Sequence, residues 1–160
     1  YFGGDLTKLA KRAYDKSIEM RESWWRELLQ CLQGVEYLHR EAQMHLDIKE
    51  PNTMLRHDDF KNPEVVLVDF GRAQSFCSKV TGISGTPGYI PPETWKRYRW
   101  QPQGDIFSLG VVFFQLLAAR VPLPGPDAAA GIFQVQAKSV QEVGQQTITN
   151  QPPWQLFPTR

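Results

Sequence analysis

Residues 45–52 have the sequence HLDIKEPN and residues 65–71 the sequence VVLVDFG, and these two stretches decide how the chain around them is interpreted. The first stretch places a carboxylate, a cation and an amide in one short loop, namely Asp47, Lys49 and Asn52. The second ends an apolar strand on Asp69, and Gly71 lets the chain turn sharply after it. Together they predict a polar site at the end of a strand.

This set of side chains is typical of phosphoryl transfer. That reaction needs little covalent work from the protein, and catalysis consists mainly of positioning and of neutralising phosphate charge with divalent cations. Such cations prefer oxygen ligands, which Asp69 and Asn52 can supply. A hydroxyl nucleophile needs an acceptor for its proton, which Asp47 can supply. Lys49 can balance charge on the phosphoryl group as it moves.

The segments around these stretches predict both strands and helices. Residues 53–55 and 65–68 are short β-type runs separated by a polar turn, which predicts a hairpin. The loop Gly71–Pro92 is rich in Gly, Ser, Thr and Pro without a sustained period, and ends in GTPGYIPPE at residues 85–93. Long loops inside compact domains are usually functional. Residues 104–119 are apolar on most sides and predict a buried helix.

Upstream of the first stretch the sequence predicts two helices. Residues 5–14 have a weak helical pattern and residues 17–41 a strong one, with Ser17 as the N-cap. The apolar residues of the longer segment recur at spacings of three, four and seven: Ile18, Trp25, Leu28, Leu29, Leu32, Val35 and Leu38. Trp25 is therefore expected in the core, with Trp24 covering a flank.

Composition limits the classes of function. The chain has 160 residues, 41% of them hydrophobic, which is enough for one globular domain or a piece of a larger one. The formal charge of +1 argues against a general attraction to nucleic acid. The longest apolar stretch, Ile106–Ala119, is too short to span a bilayer. Cys31 and Cys77 form no CxxC pair and are expected to be reduced, partly buried thiols of a cytoplasmic protein, with a single disulfide as the alternative.

Three stretches, in this order, resemble parts of eukaryotic-type protein kinases. Residues 45–52 resemble the catalytic loop, residues 69–71 the magnesium-binding Asp-Phe-Gly, and residues 85–93 the end of the activation segment. DIFSLG at residues 105–110 and GGDL at residues 3–6 fit the same pattern. The resemblance implies a mainly helical (α+β) fold in residues 1–125, the C-terminal lobe of a kinase with one or two short β-hairpins. Residues 126–160, rich in Pro and Gln, are expected to be part of the lobe or poorly ordered, and a helix is considered at about 127–138.

The resemblance also implies a reaction, the magnesium-dependent transfer of the γ-phosphate of ATP to serine or threonine hydroxyls of a protein substrate. Asp47 is similar to the catalytic base and Lys49 to the phosphate-contacting lysine. Two further residues resemble the magnesium ligands, Asn52 and Asp69. Met54 matches the residue beneath the adenine and Asp5 the acid near the ribose, with a core position and a surface position as their alternatives.

Other residues resemble parts of the family's framework. Thr86, in a Gly-Thr-x-x-Tyr pattern with Lys49 upstream, is similar to the serine/threonine class. The residues with an implied structural role are His45, Phe70, Gly71, Glu93 and Asp105. Asp105 would brace the backbone of the catalytic loop, since a buried ionised carboxylate needs hydrogen bonds. His39 and His57 are expected on the surface.

The chain departs from the family pattern in several ways. Leu46 occupies the position of an arginine that normally receives an activation-segment phosphate, so such control is not assured. The candidate phosphosites are Ser78, Thr81 and Ser84, although their interpretation as plain loop residues is favoured. Glu50 replaces a proline, which looks tolerable. The Gly-rich loop and strand lysine of an N-terminal lobe are not found, so the chain is expected to be a fragment whose N-lobe precedes Tyr1, with little activity alone.

Two alternative functions follow from the same sequence. A truncated or pseudokinase-like module that only binds a partner would explain the missing lobe, but not the retained Asp47, Lys49, Asn52 and Asp69. A small-molecule phosphotransferase of the aminoglycoside-kinase type shares an Asp…Asn loop. Such an enzyme would not usually carry the stretch Gly85–Glu93, which disfavours it.

Overall fold

The structure is a computed structural model that describes residues 3–16, 21–59, 62–79, 82–117, 139–152 and 154. These residues form five helices: α1 (Leu6–Asp15), α2 (Arg21–Arg40), α3 (Pro92–Arg97), α4 (Gln103–Leu117) and α5 (Val140–Thr149). They also form five short strands: β1 (Gly4–Asp5), β2 (Gln43–Met44), β3 (Thr53–Leu55), β4 (Val65–Leu67) and β5 (Gln74–Ser75). The expected mainly helical class with small β-hairpins is confirmed. No helix within the described ranges is long and apolar enough to cross a bilayer.

Two small antiparallel sheets flank residues 45–52. In the first, β3 lies between β1 and β4, and Met54 is opposite Val66, which confirms the predicted hairpin. In the second, β2 pairs with β5, so that Met44 is opposite Gln74. The prediction of a loop without regular structure from Gly71 to Pro92 is therefore wrong at β5. These sheets hold both ends of residues 45–52.

The main core lies where α1, α2 and α4 pack around the first sheet. Its buried side chains from the three helices include Leu6, Leu9, Trp24, Cys31, Val35, Leu109, Val112 and Leu116. Asp5 caps α1, because its Oδ1 accepts the backbone N–H of Lys8 at 2.9 Å. The predicted helix over residues 104–119 is observed as α4, whose side chains are buried along most of its length.

The predicted core face of α2 is confirmed at Val35, which is fully buried, and at Leu28, which packs against the core, but it is wrong at the two tryptophans. Trp24 is 6% exposed and lies in the core, whereas Trp25 is 57% exposed. Leu29 and Leu32 are also exposed. The helix is apolar on two sides, and the exposed side with Leu29 and Leu32 was wrongly predicted to face the core. The predicted core residue Ile18 and the predicted N-cap Ser17 lie outside the described residues.

Substitution of the two tryptophans tests this orientation. Trp24→Leu removes buried aromatic volume and is expected to lower the free energy of unfolding by about 2 kcal/mol. Trp25→Leu changes a solvent-exposed side chain and serves as the matched control, with an expected change below about 0.5 kcal/mol. Urea unfolding of both variants measures the difference. Equal losses, or a larger loss for Trp25→Leu, would contradict the assigned face.

Glu27 is a buried acid on the core side of α2. Its side chain is fully buried, and neither carboxyl oxygen has a hydrogen-bond partner among the residues that the structure describes. Burial raises the pKa of Glu27 from 4.5 to about 8. Cys31 lies one turn later, and burial, together with the negative charge of an ionised Glu27, raises the pKa of its thiol to about 12. Glu27 is therefore expected to be protonated at neutral pH.

This protonation makes stability depend on pH. The pKa is higher in the folded than in the unfolded state, so the unfolded chain loses its proton first as pH rises. Stability from Glu27 is therefore complete below pH 4.5 and declines until about pH 8, by at most about 1.4 kcal/mol per pH unit. Glu27→Gln stays neutral, so the stability of this variant relative to wild type should increase across that window.

Urea unfolding at several pH values between 4 and 9 measures this dependence. Glu36→Gln, a substitution of an exposed glutamate on the same helix, is the control and should follow wild type. A constant difference between Glu27→Gln and wild type over this range would show that Glu27 keeps its charge in the folded protein.

A second apolar cluster joins residues 44–46 to α3. Its buried members are Met44, Leu46, Ile90, Trp95 and Trp100. Helix α5 packs on α3 at Gly144, where an added Cβ would lie 2.5 Å from the Trp95 ring. Neither α3 nor α5 is predicted from the sequence, and the helix considered at 127–138 lies outside the described residues. Both cysteines are free thiols, as expected. Cys31 is buried, but Cys77 is exposed, so the expectation that both are partly buried is wrong for Cys77.

Candidate active site

The loop of residues 45–52 is anchored on α4 through Asp105. This fully buried carboxylate accepts the backbone N–H of His45 at 2.9 Å and that of Leu46 at 3.0 Å. Leu46 has a left-handed φ of 65°, so the loop bends sharply at this point. The His39 ring also bonds to Asp105 at 3.0 Å and is partly buried, so the expectation of a surface position for His39 is wrong. The two backbone hydrogen bonds to Asp105 are those expected of a residue that braces the loop backbone.

Asp47 lies at the centre of a hydrogen-bonded cluster. Its Oδ2 accepts a bond from the Lys49 ammonium at 2.9 Å, and its Oδ1 accepts one from the Thr86 hydroxyl at 2.6 Å. Lys49 also donates to Thr86 Oγ1, at 2.8 Å. The carboxylate is only 5% exposed. The chain thus brings together three predicted site residues from two loops that are 37 or more positions apart.

The charge state of Asp47 follows from these contacts. Burial raises its pKa, but the hydrogen bonds from Thr86 and Lys49 and the positive charges of Lys49 and Arg72 outweigh burial. The net pKa therefore lies below the ordinary value of 3.8. The Arg72 Nε is 3.8 Å from Asp47 Oδ2. Asp47 is a carboxylate at neutral pH and can accept a hydrogen bond or a proton from an incoming hydroxyl.

Asn52 is held against Asp47 from within the same loop. Its amide nitrogen donates to the Asp47 carbonyl at 2.8 Å and to Asp47 Oδ2 at 3.3 Å. Both bonds use the nitrogen, so the amide oxygen is the atom that can coordinate a cation. Asn52 ends the 3₁₀ turn Glu50–Asn52, whose second residue is proline.

Asp69 follows β4 and is exposed, with a left-handed φ of 63°. Its Oδ1 accepts the backbone N–H of Gly71 at 3.4 Å and caps the 3₁₀ turn Phe70–Arg72. The preceding residue, Val68, donates its N–H to the backbone carbonyl of Asn52 at 3.0 Å. Backbone pairing therefore brings the residue before Asp69 beside Asn52. Non-glycine residues in this region of φ and ψ cluster at functional sites.

His45 and Phe70 pack beneath this junction. Their ring centroids are 5.0 Å apart, and the His45 ring nitrogen Nε2 bonds to the Val68 carbonyl at 3.0 Å. His45 is fully buried, whereas Phe70 is 49% exposed. Glu93 is half-buried in the first turn of α3. Of the candidate phosphosites, Ser78 is exposed and Ser84 half-buried, while Thr81 lies outside the described residues.

The two residues assigned to the nucleotide by resemblance lie side by side on the first sheet. Asp5 on β1 is directly opposite Met54 on β3. Met54 is half-buried, and the Asp5 carboxylate caps α1 and lies 3.7 Å from the Lys8 ammonium. The geometry brings this pair together at one edge of the sheet.

One buried residue of the candidate site, Glu50, was not predicted from the sequence. Its carboxylate is fully buried and accepts hydrogen bonds from Tyr89 and Gln115. Burial raises the pKa of Glu50 to about 7, and it also raises that of the Tyr89 hydroxyl. The only signal in the sequence is a glutamate in place of the proline usual in the family. The donors lie 39 and 65 positions away, so no local pattern could have identified them.

Comparison with known proteins identifies relatives of this chain. The sequence profile described as protein kinase domain matches residues 2–158. Serine/threonine-protein kinase Nek3 of Mus musculus is 34% identical over 125 residues, which cover 75% of this chain and 23% of the mouse protein. Mitogen-activated protein kinase kinase kinase 12 of Rattus norvegicus is 33% identical over 109 residues, 67% of this chain and 12% of the rat protein. The chain therefore spans less than a quarter of either relative.

Proposed function

The chain belongs to the protein kinase domain family, and we propose that it forms the catalytic, C-terminal lobe of a serine/threonine protein kinase. In this proposal residues 1–125 are the lobe from the hinge end to α4, and residues 126–160 continue it. Members of this family use ATP and a divalent metal in general. Transfer of the γ-phosphate of ATP to serine or threonine hydroxyls, with Mg²⁺, is the function proposed for the full-length protein.

The observation that carries the proposal is the bonded cluster of Asp47, Lys49 and Thr86, with Asn52 held against Asp47. The cluster offers a buried, ionised acceptor next to a cation. This pairing suits the attack of a hydroxyl on a phosphoryl group, where the proton leaves and negative charge moves. A module that only binds a partner does not need this arrangement. The non-catalytic alternative is therefore not favoured.

Each residue has a defined part in the proposed reaction. The substrate oxygen forms a bond to the γ-phosphorus while the bond from that phosphorus to the bridging oxygen of ADP breaks. Asp47 orients the hydroxyl and accepts its proton at a carboxylate oxygen. Lys49, 22% exposed beside Asp47, offsets the charge on the transferred group. Asp5 and Met54 are proposed to border the nucleotide.

The residues present fit a magnesium site of the kind found with nucleotides. Mg²⁺ is usually bound there by one or two protein carboxylates, with phosphate oxygens and water completing its shell. Asp69 and the amide oxygen of Asn52 form an oxygen-only set of this size. The described part of the chain holds no cluster of three or more His, Cys, Asp or Glu side chains able to hold a metal. When bound, the ion would neutralise phosphate charge.

Thr86 supports the serine/threonine class. Its hydroxyl joins Asp47 to Lys49, so the end of the activation segment is bonded directly to the proposed base. The first of the two relatives is named as a serine/threonine-protein kinase. We propose the same acceptor class here, with a protein as substrate.

Titration of a non-hydrolysable ATP analogue into the full-length protein tests the proposal. Binding is expected, and Mg²⁺ should tighten it. Asp58→Asn changes an exposed residue paired with Arg12 and should leave binding unchanged. Absence of nucleotide binding by a folded protein, with and without Mg²⁺, would contradict the proposed function.

A further inference from the structure

Glu50 is a buried acid in the middle of the catalytic loop that the proposed reaction does not use. It follows Lys49 directly and begins the 3₁₀ turn that ends at Asn52. Its side chain is fully buried, although a glutamate is seldom fully buried without a partner. The hydrogen-bond partners of the Glu50 carboxylate therefore indicate its role.

The Glu50 carboxylate joins three separate parts of the chain. Its Oε2 accepts the hydroxyl of Tyr89, which lies in the loop before α3. Its Oε1 accepts the side-chain amide of Gln115 on α4 at 2.7 Å. Gln115 also donates to the Tyr89 hydroxyl oxygen at 3.3 Å. The three side chains thus form a closed, buried network.

Tyr89 is fixed at its backbone as well. Its carbonyl accepts the Ser108 hydroxyl of α4 at 2.8 Å, and its N–H donates to the Thr86 carbonyl at 3.1 Å. Tyr89 and Thr86 therefore belong to one tight turn that rests on α4. The Glu50–Tyr89 hydrogen bond joins this turn to residues 49–52 and so helps to set the distance between the two segments.

The Glu50–Tyr89 bond lies beside the cluster of Asp47, Lys49 and Thr86. On one side Glu50 is the neighbour of Lys49, and on the other Tyr89 closes the turn that begins at Thr86. The bond thus connects the same two segments that supply the cluster, through a buried contact where hydrogen bonds are strong and unpaired groups are costly.

We propose that Glu50 is a positioning residue for phosphoryl transfer, which holds the Lys49–Asn52 turn at a fixed distance from Thr86 by its bonds to Tyr89 and Gln115. This inference rests on the proposed function. A small displacement of a catalytic group lowers turnover strongly even when substrates still bind. Loss of the network should therefore lower kcat more than it changes the KM for ATP.

The test compares the full-length wild-type protein with Glu50→Ala, Tyr89→Phe and the double variant. The kcat is expressed per nucleotide-binding site, so that unfolded molecules do not lower its value. Glu50→Ala should lower kcat at least tenfold with less than a threefold change in KM for ATP. Tyr89→Phe, a milder change, should lower kcat about fivefold. The double variant should be no slower than Glu50→Ala, because both changes break one network. Glu50→Gln, which can still accept the tyrosine hydroxyl, should recover most of the activity.

Each outcome has a separate meaning. If wild type is active and Glu50→Ala and Tyr89→Phe stay within twofold of it, or if their effects multiply, the inference is overturned while the proposed function stands. Hydrogen exchange of the backbone amides of residues 47–52 provides a readout independent of catalysis, and Tyr89→Phe should accelerate it. Unchanged exchange overturns the inference. If wild type transfers no phosphate, the proposed function fails and the exchange experiment alone decides whether Glu50 fixes the loop.

Discussion

Asp47→Asn in the full-length protein is expected to lower kcat by about 10²–10⁴-fold, the usual contribution of a general base. Asparagine has nearly the same shape but cannot accept the proton of the substrate hydroxyl, and it removes the charge that holds the Lys49 ammonium 2.9 Å away. The KM for ATP should change much less, because Asp47 is proposed to act on the hydroxyl. Steady-state kinetics over a range of ATP concentrations measures both constants.

The control for this variant is Asp58→Asn, the same chemical change at a side chain that is 53% exposed and pairs with Arg12, whose side chain is 30% exposed. Asp58 has no part in the proposed reaction, so this variant should have the kcat of wild type. The melting temperature of each variant shows whether it is folded. A folded Asp47→Asn enzyme with near-normal kcat would refute the role of Asp47.

Asp69→Asn is expected to lower activity at least a hundredfold at millimolar Mg²⁺, but by a different mechanism. The substitution replaces a charged oxygen ligand with a neutral one, so affinity for the cation should fall. Higher Mg²⁺ concentrations should therefore restore part of the activity of Asp69→Asn, whereas they should not restore Asp47→Asn. Initial rates measured across a series of Mg²⁺ concentrations distinguish the two variants.

Binding of an ATP analogue without metal is the matching control. It should be the same in Asp69→Asn and wild type, because the proposed role of Asp69 requires the cation. An equal loss of activity in Asp69→Asn at every Mg²⁺ concentration would contradict metal ligation, and wild-type activity in that variant would exclude any part in catalysis.

Much of the site could be predicted because its residues lie in short stretches with strong local patterns. Asp47, Lys49 and Asn52 occupy one loop, and two short β-type runs separated by a polar turn predicted the hairpin that follows this loop. Thr86 belongs to a third stretch, and only its family resemblance linked it to Asp47 before the distance of 2.6 Å was known.

Features that depend on distant contacts could not be predicted. The sequence of a helix that is apolar on two sides does not show which side faces the core. The predicted environments of Trp24 and Trp25 were therefore the reverse of those observed. The buried side of α5 consists of Val143, Gly144 and Thr147, too weak an apolar pattern to indicate a helix. Glu50 shows the same limit, because burial of a carboxylate became plausible only once its two donors were visible.

The central claim is that this chain carries the catalytic loop of a kinase that phosphorylates serine or threonine. The most direct measurement incubates the purified full-length protein with γ-labelled ATP, Mg²⁺ and a protein substrate containing Ser, Thr and Tyr, followed by identification of the labelled amino acid. The account predicts Mg²⁺-dependent phosphoserine or phosphothreonine, at least a hundredfold more than Asp47→Asn produces. Transfer no faster than that of Asp47→Asn, or label on tyrosine alone, would contradict it.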